Sequence, residues 1–324
     1  MNATPETRAR YREALPQLAD VPFLSDGGIE TTLIFHDGLE LPHFAAYDLL
    51  TREGGADALR RYFEPYVEVA RDGGVGIVLE TATWRANAEW AERLGHGPEK
   101  LAELNRKAVE LLEELRADLE TASTPIVISG CIGPRGDGYV VGEAMTAEEA
   151  EEYHAQQIGT FAGTAADLVT AITMTYVDEA VGVIRAATAA GIPAVVSFTV
   201  ETDGRLPSGQ PLGEAIDEVD ARTDGAAAYF MVNCAHPSHF EDVLEPDAGW
   251  TARIRGIRAN ASRLSHAELD EAEELDEGNP EELATGYLAL RAKLPELHVL
   301  GGCCGTDHRH IGAMSRAWLA GVSD

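Results

Sequence analysis

Lysine is almost missing from this chain: Lys100, Lys107 and Lys293 are the only three in 324 residues. Lysine and arginine together number 25 against 55 acids, a net charge of −30, so the chain lacks the basic face that phosphate neutralisation needs. That excludes a nucleic-acid binder. Long apolar runs are also lacking; none reaches the roughly 18 residues that cross a bilayer, which excludes a membrane partner of that kind. The opening stretch MNATPETRARYREALPQLAD has no apolar core followed by small residues, and the expectation is a cytoplasmic protein. Cysteine is sparse too, at four: Cys131, Cys234, Cys303 and Cys304. In a cytosolic chain of this length they are expected as metal ligands, a nucleophile or core residues, not as a disulfide framework.

Apolar content of 45% is enough for a sizeable core. From Val21 on, eight short apolar runs alternate with stretches of helical period. The runs are Phe23 to Gly28, Val75 to Thr81, Ile126 to Gly130, Leu168 to Thr173, Ala194 to Thr199, Ala228 to Cys234, Ile254 to Asn260 and Val299 to Cys303. Between them, Leu101, Leu104, Ala108, Leu111, Leu112 and Leu115 keep a 3.6-residue rhythm across Glu99 to Leu119. A second helix over Asp178 to Ala190 stops at Gly191 before Pro193. Eight alternations predict an α/β chain folded as a (β/α)8 TIM barrel, one domain over residues 1–324 with 1–20 as a helical lead-in. A doubly wound open sheet also satisfies the periodicity. The acidic segment Glu268 to Glu282 is expected as a solvated helix or surface loop.

In such a barrel the working residues stand at the carboxyl ends of strands. Cys303 and Cys304 end the eighth run between glycines, and Cys234 ends the sixth. Adjacent residues make a poor disulfide, because their Cα atoms are only about 3.8 Å apart. Three thiolates gathered over the mouth suit Zn2+, with a fourth tetrahedral position open. So much sulfur charge makes zinc a weak Lewis acid toward water. A thiol is another matter, since it would be held there as a nucleophilic thiolate at neutral pH. The chemistry implied is alkylation of a thiol.

The chain resembles the homocysteine S-methyltransferase family along nearly its whole length. The residues that carry the resemblance are Asp26-Gly27-Gly28 with Glu30-Thr31, Glu80-Thr81-Ala82-Thr83-Trp84, Gly130-Cys131-Ile132-Gly133-Pro134, Val232-Asn233-Cys234-Ala235-His236-Pro237 and Gly301-Gly302-Cys303-Cys304-Gly305-Thr306. The resemblance implies a zinc-dependent (β/α)8 barrel moving a methyl group from a cationic donor to homocysteine sulfur. Cys234, Cys303 and Cys304 would be the zinc ligands, Asn233 would shape the site, and Asp26 would sit where the amino acid substrate is handled. The length resembles the short members that use S-methylmethionine or S-adenosylmethionine. Two positions depart from the pattern. Ile172 stands where a glutamate usually takes the substrate ammonium group, and Arg85 stands after the aromatic of the second-strand motif. A guanidinium there repels a sulfonium donor and favours a carboxylate or another anion.

Asp26, Glu80, Thr81, Trp84, Arg85 and Asn233 are therefore the expected substrate-binding residues. Asp26 and Glu80 serve equally as partners of rim backbone. Trp84, Tyr139, Tyr176 and Phe198 offer a cation-π wall or simply fill the mouth. Cys131 is expected beneath the site, and His236, His239, His308 and His310 at helix starts or behind the ligands. The expected partners are a small-molecule thiol and a methyl donor, and the sequence leaves a homo-oligomer open. The alternatives are the same chemistry on a different thiol, a metal-dependent hydrolase or lyase, and a non-catalytic zinc or thiol redox sensor.

Overall fold

The computed structural model describes residues 9–272 and 274–321. Eight parallel strands follow one another around it: β1 (Phe23–Ser25), β2 (Gly76–Glu80), β3 (Ile126–Ile132), β4 (Leu168–Met174), β5 (Ala194–Thr199), β6 (Phe230–Asn233), β7 (Ile254–Ala259) and β8 (Val299–Gly302). They pair in sequence order, and β8 returns to β1 through Phe23 opposite Val299, so the barrel is closed and the open sheet is excluded. The helices are α1 (Gly55–Gly73), α2 (Ala88–Arg93), α3 (Pro98–Leu119), α4 (Ala147–Ala162), α5 (Val177–Ala190), α6 (Leu212–Thr223), α7 (Pro237–Phe240), α8 (His266–Asp270), α9 (Pro280–Lys293) and α10 (His308–Ala320).

Local chemistry explains the boundaries. Helix α3 begins with Pro98, whose missing N–H costs nothing at a first helical position, and it buries the leucine stripe anticipated from the period. Thr146 and Glu149 close a capping box on α4, and Gly191 ends α5 at φ 70°.

Strand alternation sorts the barrel interior into layers. Phe23, Val78, Val127, Leu168, Val195, Tyr229, Met231 and Val299 form an apolar lower cluster, against which Tyr11 and Leu15 pack. Residues 1–8 of the expected lead-in lie outside the described residues, and in 9–20 the helical element is a 3-10 turn at Pro16–Leu18. Arg12 fixes this segment by donating to the carbonyls of Ala162, Thr164 and Ala166. One pleat further along the strands come Ser25, Glu80, Ser129, Thr170, Ser197, Asn233 and Arg258, all buried. The interior is thus dry at one end and polar at the end where the strands finish. In the acidic segment, Glu273 lies outside the described residues, while Glu277 accepts from His36 and from Arg309 at 2.8 Å each.

Candidate active site

Cys234 follows β6 directly, and Cys303 and Cys304 follow β8. Cys234 adopts φ 53°, which turns its side chain off the strand direction. Its N–H donates to Arg258 O (3.1 Å), and its carbonyl accepts from Asn260 Nδ2 (3.0 Å) and His266 Nε2 (2.6 Å). The Cys303 N–H donates to Ala259 O at 2.8 Å, and the Cys303 carbonyl accepts from Thr306 Oγ1 at 2.7 Å. Gly305 lets the chain leave this turn at φ 78°; a Cβ there would stand 2.5 Å from Asp276 O. Backbone bonds from β7 thus hold both cysteine turns side by side.

The three Sγ atoms lie within 4.8 Å of one another, with Cys234 and Cys304 4.0 Å apart. Tetrahedral zinc with bonds of about 2.3 Å needs sulfurs about 3.8 Å apart, a separation that Cys234 and Cys304 come close to. The Sγ atoms of Cys234 and Cys303 are joined as a disulfide across 69 residues, with Cα atoms 5.4 Å apart. The expectation of metal ligands, a nucleophile or core residues did not include this pair; as foreseen, the adjacent Cys303 and Cys304 do not bond to each other. Only the reduced pair can ligate metal, because the ligand is thiolate.

Tyr139, from the loop between β3 and α4, reaches over the sulfurs. Its hydroxyl is 3.5 Å from Cys234 Sγ and 3.6 Å from Cys304 Sγ, and its ring packs on His266 with centroids 4.5 Å apart. The loop is anchored at several points: Asn87 Nδ2 donates to Pro134 O (3.0 Å), Arg135 N–H donates to Glu179 (2.8 Å), and Met145 N–H donates to the Tyr176 hydroxyl (3.1 Å).

Beside the sulfurs, β4 breaks register between Ala171 and Met174, and Thr173 takes φ 66°. A positive φ at a β-branched residue costs of order 1–3 kcal/mol and needs outside support. Asn233, one residue before Cys234, supplies it through bonds to the Thr173 N–H and hydroxyl.

Asp26 is 2% exposed with both oxygens engaged: Arg258 Nη1 (2.7 Å) and Ser25 Oγ (3.1 Å) donate to Oδ1, and the Tyr62 hydroxyl (2.9 Å) donates to Oδ2. Its charge is therefore matched inside the protein. Glu80 is buried in the same polar layer, and its Oε2 has no partner. Burial pushes its carboxyl up to about 7, against the opposing pull of Arg258. Glu30 is likewise raised to about 7 by burial, with Arg85 pulling the other way.

The remaining expected residues divide. The Thr81 hydroxyl accepts from Cys131 N–H at 2.9 Å and meets Thr83 Oγ1 at 2.6 Å, pinning β2 to β3. Trp84 lies under the Arg85 guanidinium, whose carbon is 3.9 Å from its ring centre. Phe198 belongs to the core between barrel and helices, stacked on Phe230 at 6.2 Å, because its strand turns Ser197 and Thr199 inward instead. Of the four aromatics proposed as a wall, only Tyr139 touches the sulfurs. Cys131 is 5% exposed, and burial raises its thiol well above the ordinary range. His236 caps α7 by accepting the Ser238 N–H, and His310 sits in the capping box of α10 with Asp307. Sequence reasoning missed Arg258, His266 and Trp90. For Arg258 a signal existed, an arginine inside the apolar seventh run at an inward register.

The profile of the homocysteine S-methyltransferase family matches residues 23–318. The selenocysteine Se-methyltransferase of Brassica oleracea var. italica is 24% identical over 340 residues, covering 97% of this chain and 94% of that protein. The oxidised form of the homocysteine methyltransferase MmuM from Escherichia coli superposes with a TM-score of 0.73 at 20% identity, covering 95% of this chain and 99% of that one. Its metallated form gives 0.72 at 19% identity with the same coverage. These two likenesses concern the fold. No helix among the described residues is long and apolar enough to cross a membrane. With a family profile spanning all eight strands, the chain belongs to the homocysteine S-methyltransferase family, enzymes of methyl transfer to sulfur or its congener.

Proposed function

We propose that this protein is a zinc-dependent S-methyltransferase that moves a methyl group from a small sulfonium donor, of the S-methylmethionine or S-adenosylmethionine type, to homocysteine or a related thiol. The observation that carries the reading is the convergence of three sulfurs from two strand ends on one spot at the carboxyl mouth of the barrel. Cys234, Cys303 and Cys304 would hold the ion. When bound, it would keep an acceptor thiol ionised at neutral pH while leaving its sulfur nucleophilic.

The chain's own residues do the rest. Asn233 keeps β4 and the Cys234 turn in register through Thr173. Asp26, held by Arg258, and Glu80 set the charge beneath the mouth, while Thr81 and Trp84 shape its β2 side. The Tyr139 hydroxyl lies against two of the sulfurs and donates toward Cys234 Sγ. As the acceptor sulfur forms its new S–C bond, the donor's S–CH3 bond breaks and its electron pair leaves on a neutral thioether. A departing thioether needs no proton, so the site needs no general acid.

The Cys234–Cys303 pair favours one second reading, a thiol redox sensor. Incubating the reduced, zinc-loaded protein with labelled sulfonium donors and a panel of thiols separates the two. Labelled thioether formed over many turnovers supports the enzyme, and metal release on oxidation without any turnover supports the sensor.

A further inference from the structure

Arg85 is a buried cation with no carboxylate in contact with it. It is 6% exposed, and among the described residues no carboxylate lies within 4.0 Å of it. The buried arginines Arg116 and Arg258 differ, each with an acid at 2.8 and 2.7 Å. Both faces of the Arg85 guanidinium are covered by indole rings, Trp84 at 3.9 Å and Trp90 at 3.8 Å from ring centre to Cζ. Interaction with a ligand is thereby confined to the guanidinium plane. In that plane Nη1 donates to Gly136 O at 3.0 Å, while Nε is buried with no partner at all. A guanidinium buried without an ion partner is costly unless something else supplies the charge.

Its location says where that charge enters. Arg85 follows the end of β2 at the mouth, bonded to the loop that carries Tyr139 over Cys234 and Cys304. Asp137, Tyr139 and Glu30 act on it from further off, and the Tyr139 hydroxyl also meets Cys304 Sγ at 3.6 Å. On β4 the inward position Ile172 is apolar and 7% exposed. The β2 end of the mouth therefore holds a guanidinium flanked by indoles, with an unpartnered Nε, bonded to the loop that meets the sulfur cluster.

We propose that Arg85 is the carboxylate anchor of this site, pairing through its Nε edge with a carboxylate carried by one of the two small reactants. The assignment rests on the methyl-transfer reading for what those reactants are. The two indoles fix the plane of the fork, which makes the pairing directional; a lysine in its place keeps the charge but neither the plane nor the paired donors.

Binding tests this without any turnover. Trp84 and Trp90 contact the guanidinium directly, so tryptophan fluorescence of the reduced, zinc-loaded full-length protein reports occupancy. The acceptor arm titrates 3-mercaptopropionate against 3-mercaptopropan-1-ol, and the donor arm titrates S-methylmethionine against trimethylsulfonium. In at least one arm the carboxylate-bearing member should bind about tenfold or more tightly, and Arg85→Gln should abolish that preference. Arg85→Lys, which retains the charge against the indoles, guards against loss of fold and should lose most of the preference. The arm that responds identifies the reactant. If neither arm shows a preference, or if the preference survives in both variants at unchanged melting temperature, the proposal is overturned. A protein that binds carboxylates through Arg85 but transfers no methyl group would contradict the methyl-transfer reading alone.

Discussion

Asn233 grips Thr173 with both ends of its carboxamide: Oδ1 accepts the Thr173 N–H at 3.0 Å, and Nδ2 donates to Thr173 Oγ1 at 3.0 Å. Oδ1 also accepts from the Ser197 hydroxyl at 2.7 Å. Residues 173 and 234, both at positive φ, are thereby tied together across two strands, next to the sulfurs. Asn233→Ala strands the Thr173 N–H and the Ser197 hydroxyl in a buried site. The expected cost is about 2–3 kcal/mol of stability, with zinc held about 10–100-fold more weakly, as for other supports of metal ligands. Thermal unfolding and chelator competition measure the two losses. A variant that loses stability but keeps its zinc affinity would show that the brace serves β4 and not the metal centre.

The Arg258–Asp26 pair spans 232 residues and is buried at both ends. Breaking it from one side leaves an uncompensated charge: Arg258→Met or Asp26→Asn should cost about 3–5 kcal/mol in urea unfolding. The double variant should recover part of that loss, because neither charge then remains. Additive losses would mean that the two residues stabilise the barrel through other contacts.

Glu80 gives the protein a pH dependence with a defined sign. Its carboxyl is raised from 4.5 in the unfolded chain to about 7 in the folded protein, chiefly by burial. Between those values the folded form keeps a proton that the unfolded chain has released, so its contribution to stability falls as pH rises through that window and is flat above it. The full cost is about 3 kcal/mol on the scale of 1.36 kcal/mol per pKa unit. Glu80→Gln should match the parent below pH 4.5 and exceed its stability by up to that amount at pH 8. Denaturant unfolding at the two pH values checks this; a constant difference between the proteins would rule out the titration.

The barrel and its cysteines were legible because each rests on a short-range pattern. Eight apolar runs end in polar or glycine clusters, and Cys234, Cys303 and Cys304 stand at two of those ends. What escaped depends on distant partners or on which face a residue takes. Phe198 was expected at the mouth although Ser197 and Thr199, flanking it, are the inward residues; parallel strands are covered on both faces, so an aromatic in the run says nothing about its side. Asp26 was legible as a strand-end acid, but not its neutralisation by Arg258. Arg85 was visible as an odd cation, whereas its indole clamp needed Trp90 to fold back from α2. The Cys234–Cys303 pair likewise became visible only once β6 and β8 stood two places apart around the barrel.

The most direct test of the account is a paired measurement of bound zinc and labelled-methyl turnover on the reduced protein and on Cys234→Ser, Cys303→Ser, Cys304→Ser and Cys131→Ser. The expected result is one zinc per chain and methyl transfer from a sulfonium donor to a thiol in the parent. Both should be lost together in each of the first three variants and kept in Cys131→Ser. A metal-free variant of Cys234, Cys303 or Cys304 that still methylates its thiol at the parent rate would contradict it.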